Sequence, residues 1–173
     1  MNLLTPKYIT EGICYKAVLS VLNLTMHEKA PLYNDLKRHQ CHIVVLVPAM
    51  EDAREEDYPA WPNYPMQAKA VYEHSVGEDE WEHQYDNIAR CKALQLWTGR
   101  NDDRTSPIPH LLFSGDTQYW GGVNRRGFVV TCSGVQPWFD KMISGMVSDI
   151  IVALAHDAFV NDPEVQAGVD FLS

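Results

Sequence analysis

A chain of 173 residues, 46% hydrophobic and 21% charged, has the composition of an ordered globular protein rather than of a disordered or fibrous segment. Its net charge of −9 argues against a nucleic-acid partner, because phosphate-backbone binding rests on clustered Lys and Arg, and the one basic pair, Arg125-Arg126, falls at a predicted turn. A domain of about 150 residues buries roughly 70% of its unfolded surface, so a single domain over residues 1–173 is expected.

Residues 1–8 show neither a basic leader with an apolar run nor a small-residue cleavage site, and no stretch reaches the roughly 20 apolar residues of a membrane span. The expectation is a cytoplasmic protein without a membrane partner. Cys14, Cys41, Cys91 and Cys132 form no C-x-x-C pair and are expected as thiols.

In chain order, Thr5 and Pro6 predict a helix start, with Ile9, Ile13, Ala17, Val21 and Leu24 at helical spacing over residues 5–24. A second helical piece is read through Leu32–Lys37. The β-branched run 42–47 predicts a buried strand stopped by Pro48. Residues 50–80 carry an acidic run and then prolines interleaved with Tyr58, Trp61 and Tyr64, which predicts a long irregular insertion. Its aromatic rings could anchor the loop, wall a ligand or meet another subunit, and Trp61 is the candidate ligand residue among them.

A helix is expected over 80–98, with Trp81, Tyr85, Ile88 and Cys91 on one face, an acidic first turn, and Gly99 as its stop. Two strands, 110–120 and 126–132, are read as a hairpin turning at Gly121–Arg125. Tyr119 and Trp120 would then point to opposite faces of the first strand, with Tyr119 toward a pocket. From Pro137, the spacing of Ile143, Val147, Ile150 and Ile151 predicts a helix to about residue 158, with Asp140, Ser144 and Ser148 opposite the apolar face. A short helical turn is expected after Pro163.

Three stretches carry a family resemblance: Ile43-Val44-Val45-Leu46-Val47-Pro48, Ala89-Arg90-Cys91-Lys92-Ala93, and Asp116–Trp120 with Phe128–Gly134 ahead of the helix containing Asp140. They resemble, respectively, the Val-Val-Asp strand end, the Ala-x-x-Lys-Ala helix core, and the Gly-Gly-Val-Pro-Ile and Val-Gly-Ala-Ile-Gly-Val-Ser-Gly strands of the GlcG/HbpS-like family, also found as the C-terminal domain of PduO proteins. The chain departs from that pattern at Pro48, where the family has Asp, at Ala49-Met50-Glu51-Asp52, where it has a glycine-rich turn, and ahead of the hairpin strand, where the family's Gly-Gly is lost. The resemblance implies an α+β fold, an antiparallel sheet flanked by helices in a profilin-like layering. It also implies a homo-oligomer and a small-molecule ligand, in some members haem, with a haem-degrading activity attached to the family name.

The chemistry-bearing residues are few. Glu80-x-x-His83 is a single copy of a motif that needs a second, so no metal site is expected. His39, Cys41 and His42 do not converge if 41 and 42 lie on opposite faces of a strand. Among the lone histidines, His110 beside the hairpin is the candidate axial ligand should haem bind. Arg90 and Lys92 offer charge to a carboxylate-bearing ligand, or else serve as structural cations. No nucleophile-elbow or P-loop frame occurs. The alternatives to a ligand-binding domain are an enzyme with a remodelled pocket and a structural oligomer with a degenerate one.

Overall fold

The computed structural model describes residues 3–51, 66–101 and 108–173, so Trp61 and the core of the predicted insertion lie outside the described residues. The fold is α+β, with the elements β1 (Leu3–Leu4), α1 (Glu11–Thr25), β2 (Cys41–Glu51), β3 (Gln67–Val76), α2 (Tyr85–Trp97), β4 (Gly122–Arg125), β5 (Phe128–Ser133), α3 (Pro137–Val160) and α4 (Pro163–Ala167).

β2 is the spine. It pairs antiparallel with β3 on one edge and with β5 on the other, β5 pairs with β4, and β1 pairs with the end of β2. Because successive side chains alternate across a strand, Ile43, Val45 and Val47 enter one cluster while Val44 and Leu46 enter another. The first cluster joins the sheet to α1 and α3, through Val18, Val21, Ile143, Val147 and Ile151. The second lies under α2, where Ala89, Ala93 and Leu96 meet Val129. Helices therefore cover both faces, and the continuous apolar run of β2 is buried on both.

Local structure departs from the sequence reading at several places. α1 starts at Glu11, six residues after Thr5, because the Thr10 hydroxyl accepts from the Ile13 N–H and supplies the N-cap. The second helical piece contracts to a 3₁₀ turn at Tyr33–Asp35. β2 runs through Pro48, beyond the last residue, Leu46, at which β5 accompanies it, and a residue lacking an N–H is tolerated where one edge is open. Within the stretch read as irregular, Gln67–Val76 forms β3, whose weak strand propensity is offset by pairing along nearly the whole length of β2. The hairpin is displaced: 110–120 contains only a 3₁₀ turn at Pro109–Leu111, and the strand lies in the segment read as the turn.

The true hairpin turn is Arg126-Gly127, with φ of 50° and 103°. Two positive φ values suit a two-residue connection whose twist matches that of the strands. The helix expected over 80–98 begins at Tyr85, so Glu78–Glu80 form a separate 3₁₀ turn ahead of it, and Glu80 and His83 do not share a helical face.

α3 also carries a correction. Its buried stripe contains Asp140, Ser144 and Ser148 beside Ile143, Val147 and Ile151. The serines are accommodated because each satisfies its hydroxyl on its own helix, Ser144 on Asp140 O (2.7 Å) and Ser148 on Gly145 O (2.8 Å). With 24 residues, α3 has the length and apolar character of a membrane span, yet this stripe packs on the sheet.

Ile143 and Ile151 are fully buried, whereas Ile150 is only partly covered. Ile143→Ala is expected to lower the unfolding free energy by about 2–5 kcal/mol. Urea denaturation checks this, and Ile150→Ala should cost distinctly less in the same assay.

Candidate anion-binding site

The end of β5 turns sharply at Gly134, where φ is 134° and an added Cβ would lie 2.5 Å from Gln40 O and 2.8 Å from Cys41 Cα. Only glycine lets the chain pass this close to the start of β2. The chain then enters α3 through Pro137. One turn in, the Asp140 carboxylate folds back so that Oδ1 accepts from the Val135 N–H at 3.0 Å.

From the opposite layer, Lys92 on α2 donates through Nζ to Cys132 O (2.9 Å) and to Asp140 Oδ2 (3.2 Å). The lysine side chain is 1% exposed and the aspartate 5%. Burial pushes the Asp140 carboxyl above its ordinary range, opposed by the Lys92 charge and by hydrogen bonds from Val135, Lys92 and Cys132. Burial likewise pushes the Cys132 thiol well up.

This pair lies in the wall of a cavity of about 190 Å³, which Arg38, His83, Tyr85 and Tyr119 also line. Arg38 Nη1 donates to Val135 O at 3.0 Å. Tyr85, 4% exposed, is wedged against Trp81 (ring centroids 5.7 Å apart), and its buried hydroxyl has no hydrogen-bond partner among the described residues. Burial raises the Tyr85 phenol, with the nearby Arg38 charge opposing. Two basic side chains, Arg38 and Lys92, thus face one carboxylate, Asp140, at the start of a 24-residue helix whose N-cap, Gln136, makes no side-chain capping bond. Both the residual positive charge and the helix terminus favour an anion.

Of the residues singled out in the sequence, Lys92, Tyr119 and His83 meet at this cavity. Tyr119 arrives from a loop rather than a strand. That loop is tied to α2 by Gln95 Nε2 donating to Thr117 O (3.1 Å) and by the Thr117 N–H on Cys91 Sγ (3.2 Å), and to the turn after α2 by the Arg100–Asp116 ion pair. Arg90 points elsewhere, its guanidinium engaged by Glu73 (2.7 Å) and Asp86 (3.0 Å). His110 is exposed on its 3₁₀ turn and does not line the cavity. Arg38, Tyr85 and Asp140 carried no motif. The one sequence signal was an aspartate within two residues of an apolar helical stripe.

A second polar constellation lies across the sheet. His42 and Cys41 do face opposite sides, and His42 Nδ1 meets Ser75 Oγ at 2.8 Å while Nε2 meets Glu73 Oε2 at 2.9 Å. Burial would raise the Glu73 carboxyl, but hydrogen bonds from Arg90 and His42 outweigh it and hold the group below its ordinary value. The hollow of about 200 Å³ beside it is lined by Glu73 and Arg90 rather than by Ser75. A wider hollow of about 380 Å³ near the start of the chain has one charged side chain, Lys7, already paired with Asp162 (3.0 Å) and Glu164 (2.6 Å). Among the described residues, no three His, Cys, Asp or Glu side chains gather as a metal site requires. Among the described residues and these hollows, the cavity at Lys92 combines enclosure, surplus charge and an unsatisfied polar group.

Comparison with known proteins finds no matching family model, no matching curated protein and no matching solved structure. The case for function rests on the geometry.

Removing one member of the buried pair strands the other charge. Lys92→Met is expected to destabilise the fold by about 3–5 kcal/mol, and the double substitution Lys92→Met with Asp140→Leu to recover most of that loss. Chemical denaturation of the three proteins decides it: if Lys92→Met unfolds at the wild-type midpoint, the pair contributes nothing to the fold.

Proposed function

We propose that this chain is a small-ligand-binding domain of the GlcG/HbpS-like type whose ligand is a small carboxylate seated between Arg38, Lys92 and Tyr85. The observation that carries the reading is the Tyr85 hydroxyl, buried without a partner in a cavity whose charged groups sum to a positive excess. Leaving a buried hydroxyl unsatisfied costs about 1–3 kcal/mol, a penalty that a bound ligand oxygen would remove. The strand paired with β5 is β4, Gly122–Arg125. The earlier match to Asp116–Trp120 falls outside that strand.

Haem fits this cavity poorly. At about 190 Å³ the space is below the roughly 300 Å³ at which pockets for drug-sized ligands begin, and the proposed axial ligand His110 is not in its wall. The ligand is therefore read as a compact acid. The expectation of a homo-oligomer belongs to the same reading, supported by Trp138, Val152 and Phe159, which leave apolar surface of α3 exposed. Sedimentation of a species at the 19.7 kDa chain mass would count against it.

Acetate, lactate and pyruvate are expected to raise the melting temperature saturably, as any ligand selective for the folded state does. Arg38→Ala should abolish the effect. Tyr85→Phe should do two opposite things, raising the melting temperature of the free protein while shrinking the ligand-induced shift. Absence of a saturable shift with all three acids would remove the carboxylate reading.

A further inference from the structure

The cavity wall contains a buried lysine amine, and its surroundings suit a specific bond. We propose that Lys92 Nζ condenses with the carbonyl carbon of a small α-keto acid to form an imine. This rests on the carboxylate reading above and names the ligand class.

The argument begins with hydrogen-bond inventory. An ammonium has three donors and no acceptor; Cys132 O and Asp140 Oδ2 take two, which leaves one for a ligand in the cavity. A desolvated lysine beside a proton acceptor is the arrangement from which amine nucleophiles act on carbonyl compounds. Asp140 Oδ2 is that acceptor, while Oδ1 stays fixed by the Val135 N–H, so the carboxylate can exchange a proton without losing its position. Gly121 presses on the pair from the third side: an added Cβ would stand 2.5 Å from Asp140 Cβ and 3.3 Å from Lys92 Nζ. Arg38 matches the acid's carboxylate by charge and by its forked donors. Tyr85 supplies a hydroxyl for the keto oxygen.

The step balances with no oxidant or reductant. The Lys92 ammonium gives a proton to Asp140, and the freed Nζ lone pair attacks the keto carbon as the C=O pair moves onto oxygen. A proton then passes from nitrogen to that oxygen, giving a neutral carbinolamine. The nitrogen lone pair expels the hydroxyl, which takes the proton back from Asp140 and departs as water, leaving a protonated imine and an ionised Asp140. An α-keto acid satisfies both halves of the site, whereas a hydroxy acid such as lactate can use only the anion-binding half.

The test is reductive trapping. The full chain is incubated with pyruvate and sodium cyanoborohydride, followed by intact mass measurement and peptide mapping, with lactate thermal shift run in parallel. The expected result is one 1-carboxyethyl group per chain on Lys92, slower labelling in Tyr85→Phe, and no label at position 92 in Lys92→Arg. The wild-type map decides even if that last variant does not fold. Stabilisation by lactate and pyruvate without modification of Lys92 would overturn the imine and leave the carboxylate reading standing. Label spread evenly over exposed lysines would likewise overturn it. Neither stabilisation nor label would sink both.

Discussion

Charge removed from water has to be answered by opposite charge or by hydrogen bonds, and in this protein that demand is met where three layers converge. Lys92 comes from the helix on one face of the sheet, Asp140 from the long helix on the other, and Cys132 O from the strand between them. None of the three could be satisfied within its own element. Replacement by apolar side chains of similar volume is often neutral or stabilising in buried pairs, so retaining charge here is not explained by stability alone. What the ions do is fix the relative placement of α2, α3 and the end of β5, and with it the mouth of a cavity that none of these elements forms by itself.

The polar constellation around His42 obeys the same demand by another route. There the Glu73 carboxylate, held below its ordinary range by hydrogen bonds from Arg90 and His42, meets His42 Nε2, while His42 Nδ1 meets the Ser75 hydroxyl. Every partner is accounted for, and the network closes on itself along the β2–β3 edge. At the Lys92 cavity the accounting does not close, because the Tyr85 hydroxyl is left over. The difference between a closed and an open polar network distinguishes a structural histidine from a binding site more sharply than the residue types involved.

Elements with strong local periodicity were legible from the sequence: α1, the apolar run of β2, and α3 with its stripe through Ile143, Val147 and Ile151. β3 was not, because Gln67–Val76 gains its strand character from the neighbour it pairs with rather than from its own composition. The hairpin was found but shifted, since Gly121-Gly122 reads as a turn when its packing against Thr131, Leu96 and Asp140 is unseen. Asp140 was placed opposite the apolar face by polarity alone, although its 3.6-residue phase puts it on the buried side, and its partner lies 48 positions earlier. Arg38 and Tyr85 belong to the cavity only through tertiary arrangement. Tyr119 reaches it from a loop anchored on Cys91, Gln95 and Arg100, contacts that no spacing rule encodes.

The position of β2 in the sheet has a consequence for synthesis. Its inner edge is completed by β5, with Val44 opposite Thr131, and its apolar face is closed by α3. A nascent chain therefore carries this apolar strand, paired on one side by β3 alone, until β5 and α3 have left the ribosome. Pairings so distant in sequence slow folding and lengthen the exposure of unpaired edges. Truncations that stop short of α3 would therefore yield a β2 edge seeking other chains, and chaperone dependence in this protein should be greatest before α3 has emerged.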